Sequence, residues 1–164
     1  MAVKWTVIHN PKSCSGKGAK HWPEIERLLQ SAAVEFEVLQ TDYAGHAILL
    51  AKDAIAGGAR HLIAVGGDGT VNEVLNGIFQ QSDVPSTEIV LTQIPIGTGN
   101  DWRRTVGIPK DYAGCVKLLS GWKEIRQDVG VVEWKTEQGT QRRYFDNVAG
   151  MGFEAAVGIK ANAE

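Results

Sequence analysis

The chain has 164 residues, 43% of them hydrophobic and 22% charged, with a net charge of −2. That is the composition of an ordinary globular domain with room for a real core; it supplies no field for nucleic acid and no uncharged apolar run of membrane-spanning length. The two cysteines, Cys14 and Cys115, and the four histidines, His9, His21, His46 and His61, are scattered without metal or disulfide-framework spacing, so a reducing cytoplasm is the expected compartment.

Met1 to Lys4 leads straight into a short apolar strand at 5–8, not into a long h-region, so no signal peptide is expected. A polar loop, "NPKSCSGKGAK" (10–20), follows, then a helix over 20–33 with Ile25, Leu28, Leu29 and Ala32 on one face and Pro23 in its first turn. Residues 36–39 alternate as a second strand, and 45–56 read as a helix carrying Ile48, Leu49, Ala51 and Ile55. The third strand, 61–65, is apolar and branched. It runs into "GGDGT" and then a helix to about Gln80, whose Val71, Val74, Leu75, Ile78 and Phe79 share a face. A fourth strand starts at Ile89 and ends in "PIGTGNDW" (95–102), read as a loop, and 112–119 form a shorter helix. The alternation of strand and helix predicts an α/β fold: a parallel sheet covered by helices on both faces, a three-layer lobe. Ligands bind such sheets at the carboxyl ends of the strands, where all the glycine loops fall. The pattern changes near Gln127. Strand 129–134, a polar turn and a run opening at Arg143 make a hairpin, so 1–126 is read as one domain and 127–164 as the incomplete start of a second, β-rich one. The chain reads as a fragment on this pattern.

Gly66, Gly67 and Gly69 would cost roughly 2–3 kcal/mol against alanine in regular structure. Glycine allows positive φ and close backbone approach, and a helix N-terminus suits an anion. A ligand-driven corner is therefore expected, with Thr70 as N-cap and Glu73 completing a capping box. Two phosphate motifs are excluded by spacing: from Gly67 the third glycine of G-x-G-x-x-G is missing, and Pro11 and Gly18 stand where a P-loop needs Gly and Ser or Thr.

These motifs resemble, in order, those of the diacylglycerol kinase catalytic-domain family, in its soluble bacterial branch. "NPKSCSGKG" is similar to the family's N-P-x-S-G-x-G loop with two extra residues about Cys14; "TDYAGHA" (41–47), "GGDGTVNEVLNG" (66–77) and "PIGTGNDWRRTVGIP" (95–109) follow, the last with Trp102 and Arg103 where Phe and Ala are more usual. "DVGVV" and "FDNVAGMGFEAAV" resemble the opening strands of its second domain, a β-sandwich. The resemblance implies an ATP-dependent lipid kinase using Mg²⁺, with a lipid such as diacylglycerol met at the membrane surface by peripheral contact. It implies ATP contacts at Asn10, Pro11, Ser13, Ser15, Gly16, Thr41, Gly66, Gly67, Asp68, Gly69, Thr70, Asn72 and Thr98. Asp68 is a supporting catalytic residue, helping to hold Mg²⁺ or to activate the lipid hydroxyl, or else a turn aspartate bonding its own backbone. The main base is expected beyond Glu164, and the isolated chain is expected to transfer no phosphate and to associate through its unpaired strand edges.

The remaining polar residues keep two readings each. Asn76 is a ligand contact or a solvent-exposed residue. Lys12 and Lys17 approach phosphates or stand free in a loop. Trp102 sits at a lipid interface or is buried under the cleft. Asp101 is read as a loop aspartate bonding to backbone, and His46 as structural. An NAD-kinase-like small-molecule kinase and a non-catalytic nucleotide-binding module are the competing functions; "IPIGTGNDWRR" argues against the first.

Overall fold

The computed structural model describes residues 3–97, 99–121 and 123–150. Four parallel strands, β1 (Lys4–His9), β2 (Glu35–Gln40), β3 (His61–Gly66) and β4 (Val90–Pro95), form a sheet in the order β2-β1-β3-β4. β1 and β3 lie inside it and are buried along almost their whole length, which is why both read as continuous apolar runs; β2 and β4 are the edges and are only partly covered.

The connections are a single turn α1 (Ser13–Gly16), then α2 (Gly18–Ser31), α3 (His46–Ala56), α4 (Asp68–Gln80), α5 (Asp101–Thr105) and α6 (Tyr112–Leu118). From β1 the chain steps sideways to β2, then crosses back over β1 to β3 and on to β4. Right-handed crossovers put α2 on one face and α3 and α4 on the other. α3 packs on α4, and α6 packs on α2 and β4. Val7, Ile8, Ile63 and Val65 of the sheet, Ile25 and Leu29 of α2, Ala51 of α3 and Val71 and Val74 of α4 have no solvent exposure. α3 and α4 approach closely at Gly77, where a Cβ would come within 2.6 Å of Ala51 Cβ and Ile48 O. The three-layer α/β expectation is met.

The hairpin is also present, as β5 (Gly130–Thr136) paired antiparallel with β6 (Gly139–Phe145). It is mostly exposed, and it rests on α4 through Tyr144, whose ring lies 4.9 Å from that of Phe79. The rest of "FDNVAGMGFEAAV", from Met151 on, lies outside the described residues.

Three local expectations are corrected. Residues 101–105 of the expected loop form α5. α2 starts at Gly18, not near Lys20, because Ala19 N donates to Pro11 O at 3.0 Å and begins the turn early; Pro23 is therefore inside the helix, where it cannot donate to the Ala19 carbonyl. Gly67, not Thr70, is the N-cap of α4. Glu73 caps a neighbouring helix instead: its carboxylate accepts from Gly45 N at 2.9 Å and Ala47 N at 3.2 Å, at the start of α3.

Candidate active site

The strand order reverses between β1 and β3, so the loops leaving these two strands part to opposite faces and open a crevice. Both carry glycine motifs. Asn10 ties them together: its backbone N–H donates to Val65 O at 3.0 Å and its Nδ2 to Thr70 Oγ1 at 3.1 Å, while its Oδ1 accepts from Lys12 N at 3.0 Å. Thr70 is buried, its hydroxyl packed over Gly66 so closely that a Cβ there would collide with it. None of the three corner glycines has a positive φ. Close approach explains Gly66, and Gly69 faces open space at the first turn of α4. Thr70 N and Val71 N both donate to Gly67 O, so the N–H groups of Asp68 and Gly69 are the ones that the helix start leaves without an intrahelical partner.

Positive φ is needed elsewhere. Cys14, Ser15 and Gly16 are successively left-handed (φ 53°, 55° and 81°), which curls the loop after β1 back on itself. Ser13 Oγ is buried there without a protein partner. Thr41 is buried at the end of β2, its N–H donating to His9 O at 2.9 Å. Lys12 Nζ donates to Asp42 O at 2.7 Å, so this lysine bridges loops. Pro11, Ser13, Ser15 and Gly16 thus lie in the loop leaving β1 and Thr41 just past the end of β2, while Gly66 to Asn72 run from the end of β3 into α4.

The loop after β4 completes it. Asn100 is left-handed and buried; it donates to Gly97 O and accepts from Gln93 Nε2, which also donates to Gly66 O at 3.0 Å. Thr98 lies outside the described residues. Asp68 is not a turn aspartate bonded to its own backbone: its Oδ2 accepts from Asp101 N at 3.2 Å and its Oδ1 from Trp102 N at 3.3 Å. The first signature therefore caps the helix that the second one starts. Asp101 does not bond backbone through its carboxylate as expected; Oδ1 accepts from Arg104 Nη1 at 2.5 Å. Trp102 is buried, and its indole N–H donates to Gln127 Oε1 at 2.9 Å.

One turn further along α4, the asparagines meet the hairpin. Asn76 has no solvent exposure, which removes both of its expected readings: Nδ2 donates to Tyr144 O at 2.9 Å and Oδ1 accepts from Tyr144 N at 3.0 Å. It extends the strand pairing of β6 to a side chain. Asn72 Nδ2 also donates to Tyr144 O, and its Oδ1 accepts from Arg143 Nε and Nη2 at 3.2 and 3.0 Å. Gln127 Nε2 donates to Asp146 O at 2.6 Å. The Asp146 side chain turns towards Asn72 and Asp68, with Oδ2 buried and unpartnered. Burial pushes its carboxyl above the ordinary carboxylate range and the Asp68 charge adds to that, against hydrogen bonds from its own backbone and from Asn72.

Asp146 was missed in the sequence because a single aspartate in a polar stretch carries no spacing signal; only the fold brings it to Asp68. Cys115 is no nucleophile, since burial pushes its thiol up to about 12. Among the described residues, no three His, Cys, Asp or Glu side chains converge as a metal cage. No helix among them is long and apolar enough to cross a membrane.

A parallel sheet whose order reverses between β1 and β3, with glycine loops, a helix N-terminus and two carboxylates at the ends of its strands, is an α/β fold of the class in which ligands sit at such a reversal. Residues 4–132 match the model of the diacylglycerol kinase catalytic domain, and the chain belongs to that family. It is 33% identical over 152 residues to a diacylglycerol kinase of Staphylococcus aureus (strain bovine RF122 / ET3-1), covering 93% of this chain and 44% of that one. A diacylglycerol kinase of Staphylococcus haemolyticus (strain JCSC1435) is 34% identical over 146 residues, covering 89% and 41%. The crystal structure of a diacylglycerol kinase from Bacillus anthracis str. Sterne superposes with a TM-score of 0.63 at 27% identity, covering 84% of this chain and 45% of that one. The chain thus spans less than half the length of these relatives.

Proposed function

We propose that this chain is the nucleotide-binding part of an ATP-dependent lipid kinase that transfers the terminal phosphate of ATP to the hydroxyl of diacylglycerol or a similar lipid. Family membership and the names of the relatives support the reaction class. The observation that carries the site is the Asp68 carboxylate, seated between the two signature loops by the N–H groups of Asp101 and Trp102. Phosphoryl transfer needs little covalent help and much positioning and charge stabilisation. The loop from Asn10 to Gly16, Thr41 and the corner from Gly66 to Asn72 would cradle the nucleotide, with Thr98 from the loop after β4. Backbone N–H groups and the α4 dipole offset phosphate charge.

Mg²⁺ fits this site. A hard cation is held in kinases by one or two carboxylates and the substrate phosphates, not by a full protein cage. Asp68, and Asp146 with its unpartnered buried oxygen, are such a pair of donors. The ion would neutralise phosphate charge during transfer. Peripheral contact with a membrane surface, a cytoplasmic location, self-association and a domain boundary near Gln127 belong to the same proposal.

Two measurements test it. Calorimetry should show ADP binding to the 164-residue protein. A chimera carrying these residues in place of the matching part of the Staphylococcus aureus relative should convert diacylglycerol, in mixed micelles with radiolabelled ATP, to a phosphorylated lipid on thin-layer plates. A folded chimera that binds ATP but labels no lipid would sink the lipid-kinase reading; label in NAD instead would support the small-molecule alternative.

A further inference from the structure

Transfer gives the bound nucleotide a direction, if the reading above holds. The groups able to act on an acceptor, Asp68 and Asp146, stand where α4, α5 and the hairpin meet, on the β3 and β4 side of the strand ends. The terminal phosphate belongs there. The rest of the nucleotide then runs the other way, over β1 towards β2, a span of two strand spacings or about 10 Å.

At that far end stands an exposed aromatic ring. Tyr43 is 56% exposed, in the turn after β2 and two residues beyond Thr41. It lies flat on His46, with ring centroids 4.5 Å apart and planes 5° from parallel. The stack is anchored on both sides of the crevice. His46 Nδ1 accepts from Asp42 N at 3.1 Å, and Lys12, from the loop after β1, donates to Asp42 O. Glu73 of α4 holds Gly45 N and Ala47 N. The turn is thus fixed to the two elements that flank the phosphates, without help from the tyrosine ring. An exposed ring with a rigid backing loses little freedom when another ring stacks on it.

We propose that Tyr43, backed by His46, is the stacking platform for the nucleobase of the bound nucleotide. Stacking of this kind tolerates any base, so the contact contributes affinity and orientation without choosing between ATP and GTP.

The test compares ADP with inorganic tripolyphosphate, which has the charge and no base, by calorimetry on the wild-type chain and on Tyr43→Ala and Tyr43→Trp. Tyr43→Ala should weaken ADP about tenfold and leave tripolyphosphate within about twofold; Tyr43→Trp should restore ADP. Unchanged ADP affinity in Tyr43→Ala overturns the proposal. So does an equal loss for both ligands, which would make the ring a support of the phosphate loops. A wild-type chain that binds tripolyphosphate and not ADP overturns it as well, and one that binds neither removes the nucleotide reading from which it starts.

Discussion

The two sheets of this chain are held in place by different forces. In the four-stranded sheet, β1 and β3 are enclosed by helices, and Val7, Ile63 and Val65 see no solvent. In the hairpin, Val132 and Trp134 remain 39% and 45% exposed. It is attached to α4 largely by the hydrogen bonds of Asn72 and Asn76 to the backbone of Tyr144, and its base is tied to Trp102 of α5 through Gln127. A two-stranded hairpin is marginal alone in water. Burial therefore orders the first sheet, while the hairpin leans on α4, the helix that starts at the end of β3. Anything that disturbs that helix is felt in both the ligand site and the hairpin.

The comparison breaks most sharply in the core. Ile63→Ala removes a fully buried branched side chain from β3 and should lower unfolding stability by about 3 kcal/mol; Val132→Ala on the exposed hairpin should change it by less than about 0.5 kcal/mol. Denaturant unfolding of the two variants checks this.

Asp68→Asn probes the boundary between the units. In the active chimera it should reduce kcat by about 100-fold, the scale of one positioned charge or base. The amide oxygen still accepts one N–H, so amide exchange protection of both sheets should persist. Wild-type turnover would leave Asp68 as a helix cap only.

Asn76→Ala should separate the units. It leaves the N–H of Tyr144 without its side-chain partner and the C=O with Asn72 alone, at a cost of about 2 kcal/mol. Hydrogen exchange should accelerate across 139–145 and stay slow in β1 and β3. Uniform acceleration would mean that the two fold as one body.

pH should move the two units in opposite directions. His9 is fully buried, and burial holds its pKa below the ordinary histidine value despite a hydrogen bond from its ring to the Gly18 backbone. The unfolded chain then binds the extra proton first, so the His9 contribution is whole above the ordinary value and shrinks as the pH falls below it. Asp146 is the reverse. Its raised pKa means that the folded state keeps a proton that the unfolded state has lost, so its contribution is whole at low pH and is lost as the pH rises through the raised value. Acidification from neutral should lower the sheet's melting temperature while slowing exchange in β6; His9→Gln should flatten the first trend and Asp146→Asn the second.

Sequence reached as far as local pattern allows. The four strands and the long helices carry local hydrophobic patterns, so β1 to β4 and α3 could be placed to within a residue or two, while the N-cap of α4 falls three residues before the expected one. α5 has five residues, too few to show a period. Glu73 was assigned a local partner, and the structural alternative for Asp68 was local too, because a capping box and a turn are local ideas. Their real partners, Gly45 and Ala47 for one and Asp101 and Trp102 for the other, lie roughly 30 residues away and depend on two loops meeting at the strand ends. Asn76 was unreadable for the same reason, since Tyr144 is 68 positions distant. The corner glycines were recognised, and close approach holds at Gly66, but the positive φ ascribed to them is found instead at positions such as Gly16 and Gly97.

α4 has a different obligation on each side: Val71 and Val74 to the sheet, Glu73 to the start of α3, Gly77 to Ala51, and Asp68, Asn72 and Asn76 to α5 and the hairpin. Each added residue turns a helix by about 100°. One inserted or deleted residue between Gly69 and Gly77 would put every later side chain about 100° out of phase with every earlier one, so that no single rotation of the helix keeps both sets on their partners. The thirteen positions of this helix should therefore admit substitutions one at a time but no change of length, and variation in chain length among related proteins should be absorbed by the loop after β1, which curls through three left-handed residues at Cys14, Ser15 and Gly16.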